Sequence, residues 1–108
     1  MPLVTIVLRP HSAEKELLTA VANAVAQALA LGIGEVIAIA TPVSGIVASG
    51  GVPPVGQWLI ATVHGSDRGE EEMRTGLTEL ERAIRDWATD NNVVMEGVWT
   101  EWVLPHSR

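Results

Sequence analysis

Twice along this chain a run of β-branched and apolar residues gives way to a stretch with helical spacing and then to another apolar run, a tandem order that restricts the fold more than any other feature. Leu3 to Leu8 is the first run, and its near-continuous hydrophobicity suits a strand covered on both faces. Pro10 stops it. Ser12 stands where an N-cap belongs, with Glu14 and Glu16 in the first turn of the helix that follows. Leu17, Leu18, Val21, Val25, Ala28 and Leu29 recur at three- and four-residue intervals, which predicts one buried stripe to about Leu31 with Gly32 as its stop. Val36 to Ala40 supplies the second strand, and short links on both sides of the helix imply a parallel crossover.

The stretch from Thr41 to Gly56 is punctuated by glycine and proline, with Ile46 and Val47 as its only consecutive strong β-formers, so we expect a loop carrying a short edge strand. The pattern then repeats. Trp58 to Val63 reads as a strand, His64-Gly65-Ser66-Asp67 as a turn, and Gly69 to about Asn91 as a helix with Glu70, Glu71 and Glu72 in its first turn. Met73, Leu77, Leu80, Ile84 and Trp87 mark its buried face, and Val93 to Val103 is a last strand with a bulge near Gly97. The expected fold is α/β (α+β by some schemes): two tandem βαβ units, at 1–41 and 57–104 around a linker at 42–56, form a four-stranded mixed sheet with two helices on one face.

Composition removes several function classes. The chain has no cysteine, which excludes disulfides, thiolate zinc sites and a cysteine nucleophile. Its formal charge of −6, with seven scattered Lys and Arg, argues against a nucleic-acid partner. No apolar stretch reaches the ~20 residues of a membrane helix, and we expect a cytoplasmic protein without a membrane partner. His11, His64 and His106 show no metal-ligand spacing, and there is no P-loop, dinucleotide fingerprint or nucleophile elbow, so neither metal nor cofactor is expected. With no tyrosine present, acid–base work falls to histidine, carboxylates or a terminal amine.

Pro2 directly follows the initiator Met, and a small second residue of this kind permits Met removal, which leaves a free secondary amine where the first strand begins. An α-amino group titrates near ~7.7–8.0 in water, and desolvation or a nearby cation lowers that value. Buried in an apolar pocket, such an amine is a neutral base near pH 7. The commoner reading of a proline at position two is simply a strand that starts there.

Met1-Pro2 opening into "MPLVTIVL", the segment "VIAIATPVSGIVASGG" with Gly50-Gly51, and "WLIATVHGS" entering the second helix resemble the tautomerase superfamily over almost the whole chain. The likeness is greatest to its macrophage migration inhibitory factor and carboxymethyl-hydroxymuconate isomerase branches. It implies a homotrimer, active sites between subunits and Pro2 as the catalytic base. This chain departs from the family in having His11-Ser12 where oxalocrotonate tautomerase relatives carry an Arg, Gly32-Ile33-Gly34 where the migration inhibitory factor branch has a lysine, and no tyrosine on the last strand.

Substitutes exist for the missing groups. Arg68, between a strand and the mouth of a helix, is placed to hold a carboxylate. Arg9, at the end of the first strand, and His11 are placed to help hold that carboxylate, although a solvated or intersubunit role is the commoner one for Arg9 and His11 is most simply a turn residue. His64 is placed to polarise a carbonyl, and Trp99 to stack on a substrate, against the ordinary use of both residues as satisfied or packed groups. Two readings follow. In the first, the chain is a tautomerase or isomerase, or a related decarboxylase or hydratase, that moves a proton in a small 2-oxo acid or enol carrying a carboxylate. In the second, it is a catalytically inactive trimeric binding or structural module of the same fold. Unbroken apolar runs such as Val36–Ala40 call for cover on both faces, which two helices on one face do not supply, and other subunits are expected to supply it.

Overall fold

Strand β1 (Leu3–Leu8) organises the molecule, because its alternation divides two environments: Val4, Ile6 and Leu8 are buried against the helices while Leu3, Thr5 and Val7 point to the opposite face. The computed structural model describes residues 2–105. Met1 and His106, which entered the reasoning on the amine and on metal ligands, lie outside them. After β1 come α1 (Glu14–Ala28), β2 (Ile37–Pro42), a short 3₁₀ turn at Ser49–Gly51, β3 (Gln57–His64), α2 (Glu70–Asp90) and β4 (Met95–Val103). β1 pairs in parallel with β2 and antiparallel with β3, which pairs in parallel with β4, so the sheet order is β2-β1-β3-β4. This is the mixed four-stranded sheet with two helices on one face that the tandem pattern predicts.

The core lies between the sheet and the helices. Leu17, Val21 and Val25 of α1 and Leu80, Ile84 and Trp87 of α2 meet Val4, Ile6, Leu59, Ala61 and Val63 from the two central strands. The α2 stripe is turned slightly from the sequence expectation. Gly76 is buried while Met73 and Leu77 are half-buried, because the Trp102 indole of β4 fills the space beside Gly76, 3.5 Å from where a Cβ would stand. At the other end of α2 the Trp87 indole N–H donates to the Ala13 carbonyl at 3.0 Å and ties the two helices together.

Several local expectations are corrected. Ser12 does not cap α1. The helix begins with Ala13 at the N-cap and has no side-chain cap, while the Ala13 amide donates to His11 Nδ1 at 2.9 Å, a turn bond just ahead of the helix. Gly32 does not end it either. The chain reverses at Ala30, φ 55°, where the Leu31 amide donates to the Ala26 carbonyl at 2.8 Å and the Ala30 amide to Gln27 at 3.2 Å, a Schellman closure with alanine in the left-handed position. Ile46 and Val47 form no strand, and the linker is folded by an Ala48 amide to Val52 carbonyl bond of 2.8 Å. The irregularity in β4 is where it was expected. Gln57 faces Met95 and Trp58 faces Gly97, leaving Glu96 unmatched, and the Trp58 ring lies across Gly97 where any β-carbon would collide with it.

The second face of the sheet is left open. Ile37, Ile39 and Ile60 are 45%, 44% and 45% exposed and Trp99 is 72% exposed, whereas Val4, Ile6 and Val63 on the helix side are at 0%. Within one chain, then, the apolar runs of β2 and β3 are covered on one side only.

Ala30 gives the fold a direct test. A non-glycine residue in the left-handed region costs about 1–2 kcal/mol, so Ala30→Gly is expected to stabilise the protein by about 1 kcal/mol. Urea denaturation checks this, and a lower midpoint for the variant would contradict the Schellman geometry.

Candidate active site

Pro2 is buried at the end of the central strand, and its carbonyl accepts the Ile37 amide at 3.2 Å, which locks the start of β1 to the start of β2. Antiparallel pairing sets Leu3 opposite His64, so the residue following the proline is beside the last residue of β3. His64 is exposed at this rim. The turn beyond it is held from two sides: the Gly65 amide donates to the Val103 carbonyl at 3.1 Å, and the Trp102 indole N–H donates to the Gly65 carbonyl at 3.3 Å. A side chain at Gly65 would meet the Trp102 ring at 3.0 Å. The glycine therefore lets the indole close over the turn.

Arg68 leaves from the same end of the sheet. Asp67 Oδ1 accepts the Gly69 amide at 2.9 Å and shapes the entry into α2. The Arg68 guanidinium is 24% exposed and lies 3.6 Å from the Glu72 carboxylate, while its Nε is buried with no hydrogen-bond partner among the described residues. Glu70, Glu71 and Glu72 are all in the first turn of α2, where Glu70 pairs with Arg74 at 2.8 Å and Glu72 faces Arg68.

The other three predicted residues are elsewhere in the subunit. Arg9 follows β1 at its far end, seven residues from Pro2, which at ~3.3 Å per residue places it roughly 23 Å away. His11 beside it is occupied twice over, accepting the Ala13 amide and meeting Trp87 edge-on with centroids 5.0 Å apart. The crevice that Arg9 and His11 share with Trp58 and Trp87 measures about 20 Å³, room for one water rather than a substrate. Trp99 pairs with Ile60, which pairs with Val7, and so belongs to the open face toward the Arg9 end. One chain thus groups Pro2, His64 and Arg68 at one end and keeps Arg9, His11 and Trp99 near the other.

Two features of the open face escaped the sequence reading. Trp58 flanks an apolar hollow of about 430 Å³ whose walls include Val7, Ile46, Ile60 and Trp99. A polar row crosses the same face, because Thr5 is paired with Thr62 and Thr62 with Glu101, the Thr62 hydroxyl donating to Glu101 Oε1 at 3.4 Å. Side-chain parity within each strand hints at both, but only the inter-strand register assembles them.

No protein-family model and no curated protein matches the sequence. Solved structures do. A 5-carboxymethyl-2-hydroxymuconate isomerase from Deinococcus radiodurans R1 is 18% identical and superposes with TM-score 0.77, covering 97% of this chain and 83% of that one. A macrophage migration inhibitory factor-like protein from Entamoeba histolytica is 8% identical at TM-score 0.72, covering 96% and 88% of the two chains. A fused 4-OT described as a wild-type symmetric trimer is 11% identical at TM-score 0.71, covering 94% and 84%. Each superposition covers more than nine-tenths of this chain, and on that ground the chain shares the fold of these proteins.

Proposed function

We propose that this protein is a proton-transfer enzyme of the tautomerase or isomerase type, acting on a small 2-oxo acid or enol with the amine of Pro2 as its base. The observation that carries the reading is the buried position of Pro2 at the end of the central strand, next to a rim that bears His64 and leads to Arg68. A ring nitrogen freed by removal of Met1 and shielded from water stays neutral near pH 7, takes a proton from carbon and returns it to a neighbouring atom. Arg68 holds the substrate carboxylate through the terminal nitrogens of its half-buried guanidinium. His64 supports the enolate oxygen.

The open sheet face and the separation of the two residue groups support assembly from several copies, a trimer by the resemblance. A neighbouring subunit would cover Ile37, Ile39 and Trp99 and bring its own Arg9 or Trp99 toward a site the single chain leaves incomplete. At micromolar concentration sedimentation should therefore report an oligomer, and a monomer would contradict the assembly.

A second reading, a non-catalytic module of the same fold, is favoured by one observation. The cation at the Pro2 end already faces Glu72 within an acidic turn, which opposes capture of a carboxylate. Turnover separates the two. Pro2→Ala, which replaces the secondary amine with a primary one, is expected to lower kcat/KM on an enol pyruvate by at least ~10²-fold; equal rates for variant and parent would show that the proline ring is not required. Arg68→Gln is expected to raise KM about tenfold with a smaller change in kcat, in keeping with the loss of one charge-assisted contact. An unaltered KM would show that Arg68 does not touch the substrate.

A further inference from the structure

Glu101 places a carboxylate on the open face of the sheet, on the edge strand β4 and exposed in the single chain, with its side chain turned toward β3. Along β4 the residues on that side are Gly97, Trp99, Glu101 and Val103, and Glu101 lies in register with Thr62 of β3 and, through it, with Thr5 of β1. The surroundings are otherwise apolar or hydroxyl-bearing. β1 presents Leu3, Thr5 and Val7, β2 presents Ile37, Ile39 and Thr41, and neither strand offers a titratable group to this face. β3 offers His64, one step along from Thr62 at the rim, with no ion pair to Glu101 among the described residues. Arg9 stands just past the end of β1, four residues beyond Thr5 and so roughly 13 Å from it along the strand. The helices and their charged residues are on the opposite side.

We infer that self-association of this chain through its open sheet face is linked to protonation of Glu101, the copies binding each other more tightly when its carboxyl is neutral. The inference rests on the reading of the chain as a self-associating subunit. A second copy is the occupant the observations favour: Ile37, Ile39, Ile60 and Trp99 leave large apolar side chains exposed on either side of the polar row, and the superposed 4-OT with this fold is a symmetric trimer. An ionised carboxylate covered by such a surface loses its hydration and keeps a single long hydrogen bond, the 3.4 Å contact from Thr62, as compensation. The neutral acid loses much less and can itself donate to the threonine hydroxyl. Association then takes up a proton, so it strengthens as pH falls and weakens as pH rises. β4 is an edge strand, and a charge on an edge strand is also a recognised means of restraining edge-to-edge pairing.

Sedimentation equilibrium of the full chain at pH 5.0 and 7.5, alongside Glu101→Gln and His64→Gln, tests the linkage. The parent protein is expected to associate about two- to threefold more tightly per copy at pH 5.0 than at pH 7.5, the change that a rise of about one unit in the proton affinity of an ordinary carboxylate produces over that window. Glu101→Gln is expected to associate equally at both values and at least as tightly as the parent in acid, with the parent's pH dependence retained in His64→Gln. A pH-independent parent oligomer, a pH dependence abolished by His64→Gln, or weaker association of Glu101→Gln at pH 7.5 overturns the inference. The last result would mean that a cation such as Arg9 of another copy uses the charge. Monomers of every variant at both values would defeat the assembly reading itself, a failure distinct from loss of the linkage alone.

Discussion

The pairing of β1 on both its edges is the constraint from which the rest of the molecule follows. Hydrogen-bonded in parallel to β2 and antiparallel to β3, this strand has its register fixed from two sides, and Val4 and Ile6 at 0% exposure make a slip by one residue prohibitive. A slip would turn Thr5 into the core and Ile6 onto the open face. The same register determines where Pro2 is held, which residue stands across from Leu3, and which side chains form the polar row. Position of the candidate base and character of the open face are therefore consequences of one strand's alternation.

The two faces of the sheet are two different environments. On the helix side, fully buried aliphatic residues from four elements account for the core, with the Trp87 and Trp102 indoles tying α2 to α1 and β4 to the turn after His64. On the other side, exposed isoleucines and two tryptophans surround Thr62, which at 9% exposure is screened by its neighbours despite facing outward. A monomer arranged in this way has a completed core and an uncompleted surface. The split placement of the arginines fits that picture, since Arg68 accompanies Pro2 and Arg9 is a strand's length away.

What the sequence disclosed and what it hid follow from the range of the interactions involved. The α2 helix was legible because Leu80, Ile84 and Trp87 repeat with local periodicity and its first turn is acidic. The strand–helix–strand order was legible for the same reason. The ends of α1 were not: an uncapped Ala13 at the N-cap, positioned by its amide bond to the His11 ring that packs on Trp87, and an alanine at φ 55° beside the buried Leu29 stand where Ser and Gly were expected. Continuous hydrophobicity in β2 signalled two covered faces, yet a single chain covers one, so the pattern speaks of an environment that includes more than this subunit. The candidate residues could be named from composition and resemblance, but their division into two groups depends on non-local pairing between β1 and β3, which no window along the chain records.

The account turns on whether the nitrogen of Pro2 is free, because an acylated nitrogen has no lone pair with which to accept a proton from carbon. The intact mass of the protein purified from its native host measures this most directly. A mass short of the full chain by one methionine residue is the predicted result. The full mass, with Met1 still joined to Pro2 through an amide, would contradict it and leave a fold without its base.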